Sequence, residues 1–153
     1  MALELNDSIL IDAPRDQVYA ALNDPEILKQ AIPGCEELTQ ISDTELEAKV
    51  VLKIGPVKAR FSGKVTLDKS DAPGGFSLRG EGSGGVAGFA KGGARVTLAE
   101  KDGQTELSYT ATADVGGKIA QLGSRLIMGT ARKLSESFFT KFAAVVTGSE
   151  PQA

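Results

Sequence analysis

The last long apolar stretch constrains the fold more than any other part of the chain. Residues 116–146 read GGKIAQLGSRLIMGTARKLSESFFTKFAAVV. Ile119, Leu122 and Leu126 and, after a transition at Met128 to Thr130, Ala131, Leu134, Phe138, Phe142 and Val145 recur at steps of three and four, the period of one helical face, so a single amphipathic helix is predicted. At about 1.5 Å per residue, such a helix reaches roughly 46 Å and must cross a whole sheet to bury its stripe. Four glycines, Gly116, Gly117, Gly123 and Gly129, fall in its first half. Each weakens a helix interior by roughly 0.5–1 kcal/mol, which makes that half either a loose cover over whatever the sheet encloses or a place of close helix-to-sheet packing.

The upstream chain supplies the sheet. Leu3, Leu5, Ile9 and Ile11 alternate as a half-buried strand does, with Asp7 on the same parity marking a bulge. Pro14 and then Asp24-Pro25 are start signals for two short helices, carrying Val18, Ala21 and Leu22 and then Ile27 and Leu28. Ile32-Pro33-Gly34-Cys35 turns the chain out of the second. From there the period is two. Leu46, Ala48, Val50, Leu52 and Ile54 share one face, and beyond the Gly55-Pro56 turn Val57, Ala59, Phe61, Gly63, Val65 and Leu67 continue it. Phe76 and Leu78, then Ala94, Val96 and Leu98, then Leu107, Tyr109, Ala111, Ala113 and Val115 supply further strands. The pattern is α+β: a curved antiparallel sheet of six or seven strands wrapped around a long C-terminal helix, with two short helices after the first strand. In a chain of 153 residues this is one domain, 1–147, followed by a short polar tail, 148–153.

Several chemistries are excluded or disfavoured. The chain has no histidine, which removes the usual general base and metal ligand. Its single cysteine, Cys35, has no histidine to activate it and reads as a buried, inert thiol. No catalytic or metal-binding residues are expected. No P-loop occurs, because Gly63-Lys64 precedes Val65 and Gly117-Lys118 precedes Ile119. Residues 80–85 match G-x-G-x-x-G, but an extended segment follows where a dinucleotide site needs a helix. The final stretch is basic, with Lys118, Arg125, Arg132, Lys133 and Lys141 against Glu136 alone, on an otherwise acidic body. A pI of about 5.1 argues against nucleic acid. Nothing at the N-terminus resembles a signal peptide and no apolar run would span a membrane, so a cytoplasmic protein is expected.

What remains is an apolar, lightly filled inner face. Ala48, Ala59, Gly63, Gly80, Ala94, Ala111 and Ala113 are small residues facing a long helix, an arrangement that leaves room for a hydrophobic ligand. The expected lining is Val50, Leu52, Phe61, Leu78, Phe89, Ala94, Val96, Tyr109, Leu122 and Leu126, with Tyr109 as the inward polar group that orients the ligand. Phe89 is out of phase with Ala94 and Val96, so either a bulge turns it inward or it is exposed as a contact surface.

The order of elements resembles the START-like (SRPBCC, helix-grip) superfamily. Local sequences resemble the family of the carbon monoxide dehydrogenase G-subunit: Ala13-Pro14, Val18-Tyr19-Ala20-Ala21-Leu22-Asn23-Asp24-Pro25, Ile32-Pro33-Gly34-Cys35, Lys53-Ile54-Gly55-Pro56 leading to Phe61-Ser62-Gly63, and Gly116-Gly117-Lys118-Ile119-Ala120 to Leu122-Gly123. The resemblance runs over 3–146. It implies a non-catalytic accessory protein of a carbon monoxide dehydrogenase type molybdenum hydroxylase. Such a protein holds a quinone or lipid non-covalently in an internal cavity and recruits the enzyme to the cytoplasmic face of the inner membrane. The family offers no catalytic residues to carry over. Lys118, Arg125 and Arg132, spaced by seven, are the expected membrane or partner contacts. Two alternatives stay open: a helix-grip enzyme such as a cyclase or hydrolase acting on an aromatic or polyketide substrate, and an assembly factor without ligand.

Overall fold

Apolar and polar residues alternate through most of the chain, and each alternating run forms a strand. The computed structural model describes residues 2–148. In order these are β1 (Ala2–Ile11), α1 (Arg15–Leu22), α2 (Pro25–Ala31), β2 (Cys35–Ser42), β3 (Glu45–Ile54), β4 (Val57–Asp68), β5 (Gly75–Ser83), β6 (Phe89–Lys101), β7 (Gln104–Gly116) and α3 (Ser124–Thr147). The strands form one antiparallel, seven-stranded sheet in the order β1-β7-β6-β5-β4-β3-β2. Of the tail at 148–153, all but Gly148 lies outside the described residues.

The short helices start where their signals stand. Asp24 caps α2 by accepting a hydrogen bond from the Glu26 N–H at 3.0 Å, with Pro25 in the first turn. At Gly34 the backbone takes φ +74°, and a side chain there would strike the Val51 carbonyl, so this turn needs glycine. The 80–85 motif lies in the β5–β6 hairpin, whose tip is a 3-10 turn, Gly85–Ala87, and no helix follows it. β1 pairs with β7 residue for residue from Ala2↔Asp114 to Ile11↔Thr105, so Asp7 marks no bulge; it is exposed opposite Tyr109.

The stretch 116–146 departs from expectation. It is not one helix: β7 runs to Gly116, a 3-10 turn covers Lys118–Leu122, and α3 begins only at Ser124. Gly117 and Gly123 take φ +82° and +92°, a left-handed backbone that ends helical hydrogen bonding on either side of the turn. Of the four glycines only Gly129 lies inside α3, so no loose half-helix exists to serve as a lid. The helix that remains is 24 residues long, about 36 Å.

The core is divided. One cluster joins Ile11, Val18, Leu22, Phe76, Leu107 and Phe142 where α1, α2 and the C-terminal half of α3 meet the sheet. Two hydrogen bonds fasten this end: Gln17 Nε2 donates to the Val146 carbonyl at 2.9 Å, and buried Thr105 Oγ1 donates to the Ala13 carbonyl at 2.7 Å. A second cluster, Ile54, Phe61, Ala87, Val115, Ile119 and Ile127, gathers the β3–β4 turn, the hairpin tip, the 3-10 turn after β7 and the start of α3.

Candidate functional site

The register aligns the alternating residues into rows across the sheet. Leu46, Val65, Gly80, Gly92, Ala113 and Leu3 form one such row. Leu67, Leu78, Ala94, Ala111 and Leu5 form the next. Both lie on the face toward α3, between the two core clusters. Here Leu5, Val65, Leu78, Ala94, Ala111 and Ala113 are only half-buried, although both flanking clusters are closed. Small side chains on the sheet and the half-buried Ala131 and Leu134 on the helix keep accessible apolar surface on both walls here. The walls of this space are apolar, which favours an apolar occupant.

Glycines in the first of these rows and in the Ala48–Gly63–Gly82 row beside it do structural work. A Cβ at Gly92 would run into the Thr112 carbonyl, and one at Gly63 would come within 3.0 Å of the Glu81 carbonyl. Glycine therefore lets neighbouring strands approach closely enough for the sheet to curl.

The opposite face differs in kind. Glu47, Lys64, Glu81, Lys91 and Asp114 stand in register across five strands as a ladder of alternating sign. A groove of ≈ 570 Å³ on that face is bordered by Glu47, Lys49, Lys64, Glu81 and Lys91. Charged side chains of this kind hold water, whereas the half-buried residues beside α3 are apolar.

The expected lining is divided between the half-buried rows and the two clusters that flank them. Val50 pairs with Phe61, Leu78 with Ala94, and Val96 with Tyr109 across the ladders of the α3-facing side. Phe61 and Val96 are buried within the second and first clusters respectively; Leu52 and Leu122 pack on the second. Two positions differ from expectation. Phe89 opens β6 on the outer face, 46% exposed, with its ring over Gly116, because no bulge shifts its phase. Leu126 is 39% exposed and packs on the β3–β4 turn at Gly55, because α3 starts two residues before it and turns it away from the sheet. Tyr109 stacks on Phe139 with ring centroids 5.2 Å apart, so its ring serves the junction of sheet and helix. Phe139, Val65 and Tyr19 were not among the expected lining residues, although the period of two placed Val65 on the inner face.

One end of the molecule combines exposed apolar groups with cations. Val86, at the hairpin tip, is 92% exposed; Phe89 opens the strand that follows, with its ring over Gly116, and Leu126 packs at Gly55 of the β3–β4 turn. Lys53 and Lys58 flank the adjoining β3–β4 turn, and Lys118 and Arg125 stand on the 3-10 turn and the first turn of α3; all four are exposed. Arg132 lies seven residues along α3 from Arg125, on the same side of that helix, while Lys118 belongs to a separate element.

Cys35 is half-buried and donates from Sγ to the Glu37 carbonyl at 3.4 Å. Burial pushes its thiol above the ordinary range, against the opposing pull of Lys29 and of the Glu37 backbone. A thiol so held is a poor nucleophile. No group of three or more potential metal-binding side chains occurs among the described residues.

Comparison with known proteins supports the architecture. A conserved protein from Geobacillus kaustophilus is 31% identical, with a TM-score of 0.89 over 95% of this chain and 96% of its own. A START superfamily protein from Mycobacterium smegmatis is 12% identical, with a TM-score of 0.73 over 95% and 97%. The Zhui aromatase/cyclase from Streptomyces sp. R1128 is also 12% identical, with a TM-score of 0.70 over 96% and 94%. At that identity the last two speak for the helix-grip fold alone. No curated protein matches the chain by sequence. The family model of the carbon monoxide dehydrogenase G-subunit, CoxG, matches residues 8–147, nearly the whole chain, and the chain belongs to that family.

Proposed function

We propose that the protein is a non-catalytic carrier and adaptor for a molybdenum hydroxylase of the carbon monoxide dehydrogenase type, holding one hydrophobic small molecule, a quinone or lipid, between sheet and α3. The observation that carries this reading is the row of half-buried apolar residues on the α3-facing side, Leu5, Val65, Leu78, Ala94, Ala111 and Ala113, between two closed clusters. An apolar surface left open inside a fold gains roughly 25 cal/mol for each Å² that a ligand covers. Family membership supports a partner enzyme of the carbon monoxide dehydrogenase type.

In the same reading the protein works at the cytoplasmic face of the membrane. No helix among the described residues is long and apolar enough to cross one, so attachment would be peripheral. The end bearing Val86, Phe89, Leu126, Lys53, Lys58, Lys118 and Arg125 has the composition of such a contact: apolar tips that enter the headgroup region, ringed by cations that meet anionic lipid.

Organic extraction of the protein purified from its native host, with mass spectrometry of the extract, tests the carrier role. Co-purification with the hydroxylase and its distribution between membrane and soluble fractions test the adaptor role. A quinone or lipid at about one per chain and a hydroxylase in the eluate are expected; an empty extract together with no captured enzyme would overturn the reading.

A further inference from the structure

Ser135 stands on the face of α3 that turns toward the sheet. Ile127, Phe142 and Val146 are the buried residues of this helix and define its inward direction. At about 100° per residue, Ser135 projects roughly 20° from Phe142 and between the directions of Ile127 and Val146. Along the axis it follows Ile127, which belongs to the second cluster, by two turns, and precedes Phe142, which belongs to the first, by two turns. The residue therefore sits midway over the stretch between the clusters, where the half-buried rows of the sheet lie. Its neighbours one turn away are the half-buried Ala131 and Phe139, which stacks on Tyr109 of β7.

A serine or threonine inside a helix commonly donates its hydroxyl to the carbonyl four residues back. Thr130 does so to Leu126, and Thr147 to Ala143. The Ser135 hydroxyl has no hydrogen-bond partner among the described residues, and its oxygen is not sealed off as those of Tyr19 and Asn23 are. It is open to whatever lies between helix and sheet. Both sheet rows there carry only apolar side chains, and none of the half-buried residues of α3 between the clusters is charged. We propose that the Ser135 hydroxyl is the hydrogen-bonding partner of the ligand's polar group, and that the site takes the carbonyl and the hydroxyl form of one ring alike. The inference rests on the carrier reading and adds to it the anchoring residue and its indifference between the two forms. A hydroxyl answers a carbonyl by donating and a second hydroxyl by accepting. A charged anchor would choose: a carboxylate only accepts and an ammonium only donates.

Three probes test this on the full chain: 2-methyl-1,4-naphthoquinone with ring carbonyls, 2-methyl-1-naphthol with a ring hydroxyl, and 2-methylnaphthalene with neither. Ser135→Ala should weaken binding of the quinone and of the naphthol about fivefold each, the effect of one hydrogen bond, and leave the hydrocarbon unchanged. Its unfolding temperature should be no lower than that of wild type, since alanine is the better helix former. Ser137 is the control: it is half-buried on the same helix, but two residues on it projects about 200° away from Ser135. Ser137→Ala should change no affinity more than about twofold. Unaltered binding of both oxygen-bearing probes by Ser135→Ala overturns the inference and leaves the carrier reading standing. Weakening of only one of them overturns the indifference between forms, and an equal effect of Ser137→Ala overturns the assignment to Ser135. Loss of all three probes with a lowered unfolding temperature makes Ser135 a packing residue and overturns the inference too. Binding of no probe by wild type overturns the inference and the carrier reading together.

Discussion

Tyr109 of β7 stacks on Phe139 of α3, with ring centroids 5.2 Å apart and 24° between planes. Phe138 meets Phe139 edge-on at 4.9 Å and stacks on Phe142 at 5.7 Å, so a file of rings joins the sheet to the C-terminal half of the helix. Contact is through the ring of Tyr109. Tyr109→Phe should therefore stay within about 0.5 kcal/mol of wild-type stability. Phe139→Ala should lose about 1–3 kcal/mol, from ring burial and the lost stack. Urea unfolding distinguishes the two, and equal losses would mean that the hydroxyl holds strand to helix.

Two glycines should respond in opposite directions to alanine. Gly88 has φ +120°, and a Cβ there would meet the Gly116 carbonyl, so Gly88→Ala should cost more than about 2 kcal/mol. Gly129 lies inside α3 with nothing near its missing Cβ, so Gly129→Ala should add about 0.5–1 kcal/mol. A loss at Gly129 in the same unfolding assay would restore the idea that this part of the helix needs to be loose.

Cys35 gives a pH prediction. Its pKa is raised by burial, so at a given pH the folded protein holds less thiolate than a free cysteine does. Alkylation by iodoacetamide at pH 8 should be slower in the native protein than in urea, and the native rate should rise at a higher pH. Faster alkylation in the native state would mark Cys35 as an activated thiol and reopen nucleophilic chemistry.

Much of the architecture was legible because the sheet has one covered and one wet face. The parity that put Ala48, Gly63, Ala94, Ala111 and Ala113 on one side is the parity the register confirms. Helical periodicity misled at 116–146 because apolar steps of three and four carry through Gly123 without a break in phase. Backbone handedness leaves no trace in side-chain period. The available signal was the pair Gly117 and Gly123 on either side of Lys118–Leu122, two residues of the type that ends a helix. Phe89 kept its sequence phase and so fell on the outer face. Tyr19 sits between Val18 and Ala20 in a short helix, and only the tertiary structure distinguishes a tyrosine whose hydroxyl turns inward.

The apolar and basic end should bind anionic vesicles. Val86→Asp, or Lys118→Glu together with Arg125→Glu, should weaken co-sedimentation with phosphatidylglycerol vesicles by about fivefold or more without lowering the unfolding temperature, since all three residues are exposed. Raising the salt should act in the same direction. Wild-type and variant proteins that float equally well at all salt concentrations would remove this end from membrane contact.

The central claim is that the space between sheet and α3 holds a hydrophobic ligand, and native mass spectrometry of the protein titrated with 2-methyl-1,4-naphthoquinone tests it most directly. Ala111 lies on the half-buried row of that space. Wild type should form a 1:1 adduct, and Ala111→Trp, still unfolding cooperatively, should form none. An adduct of equal intensity in both proteins, or none in either, would contradict the account.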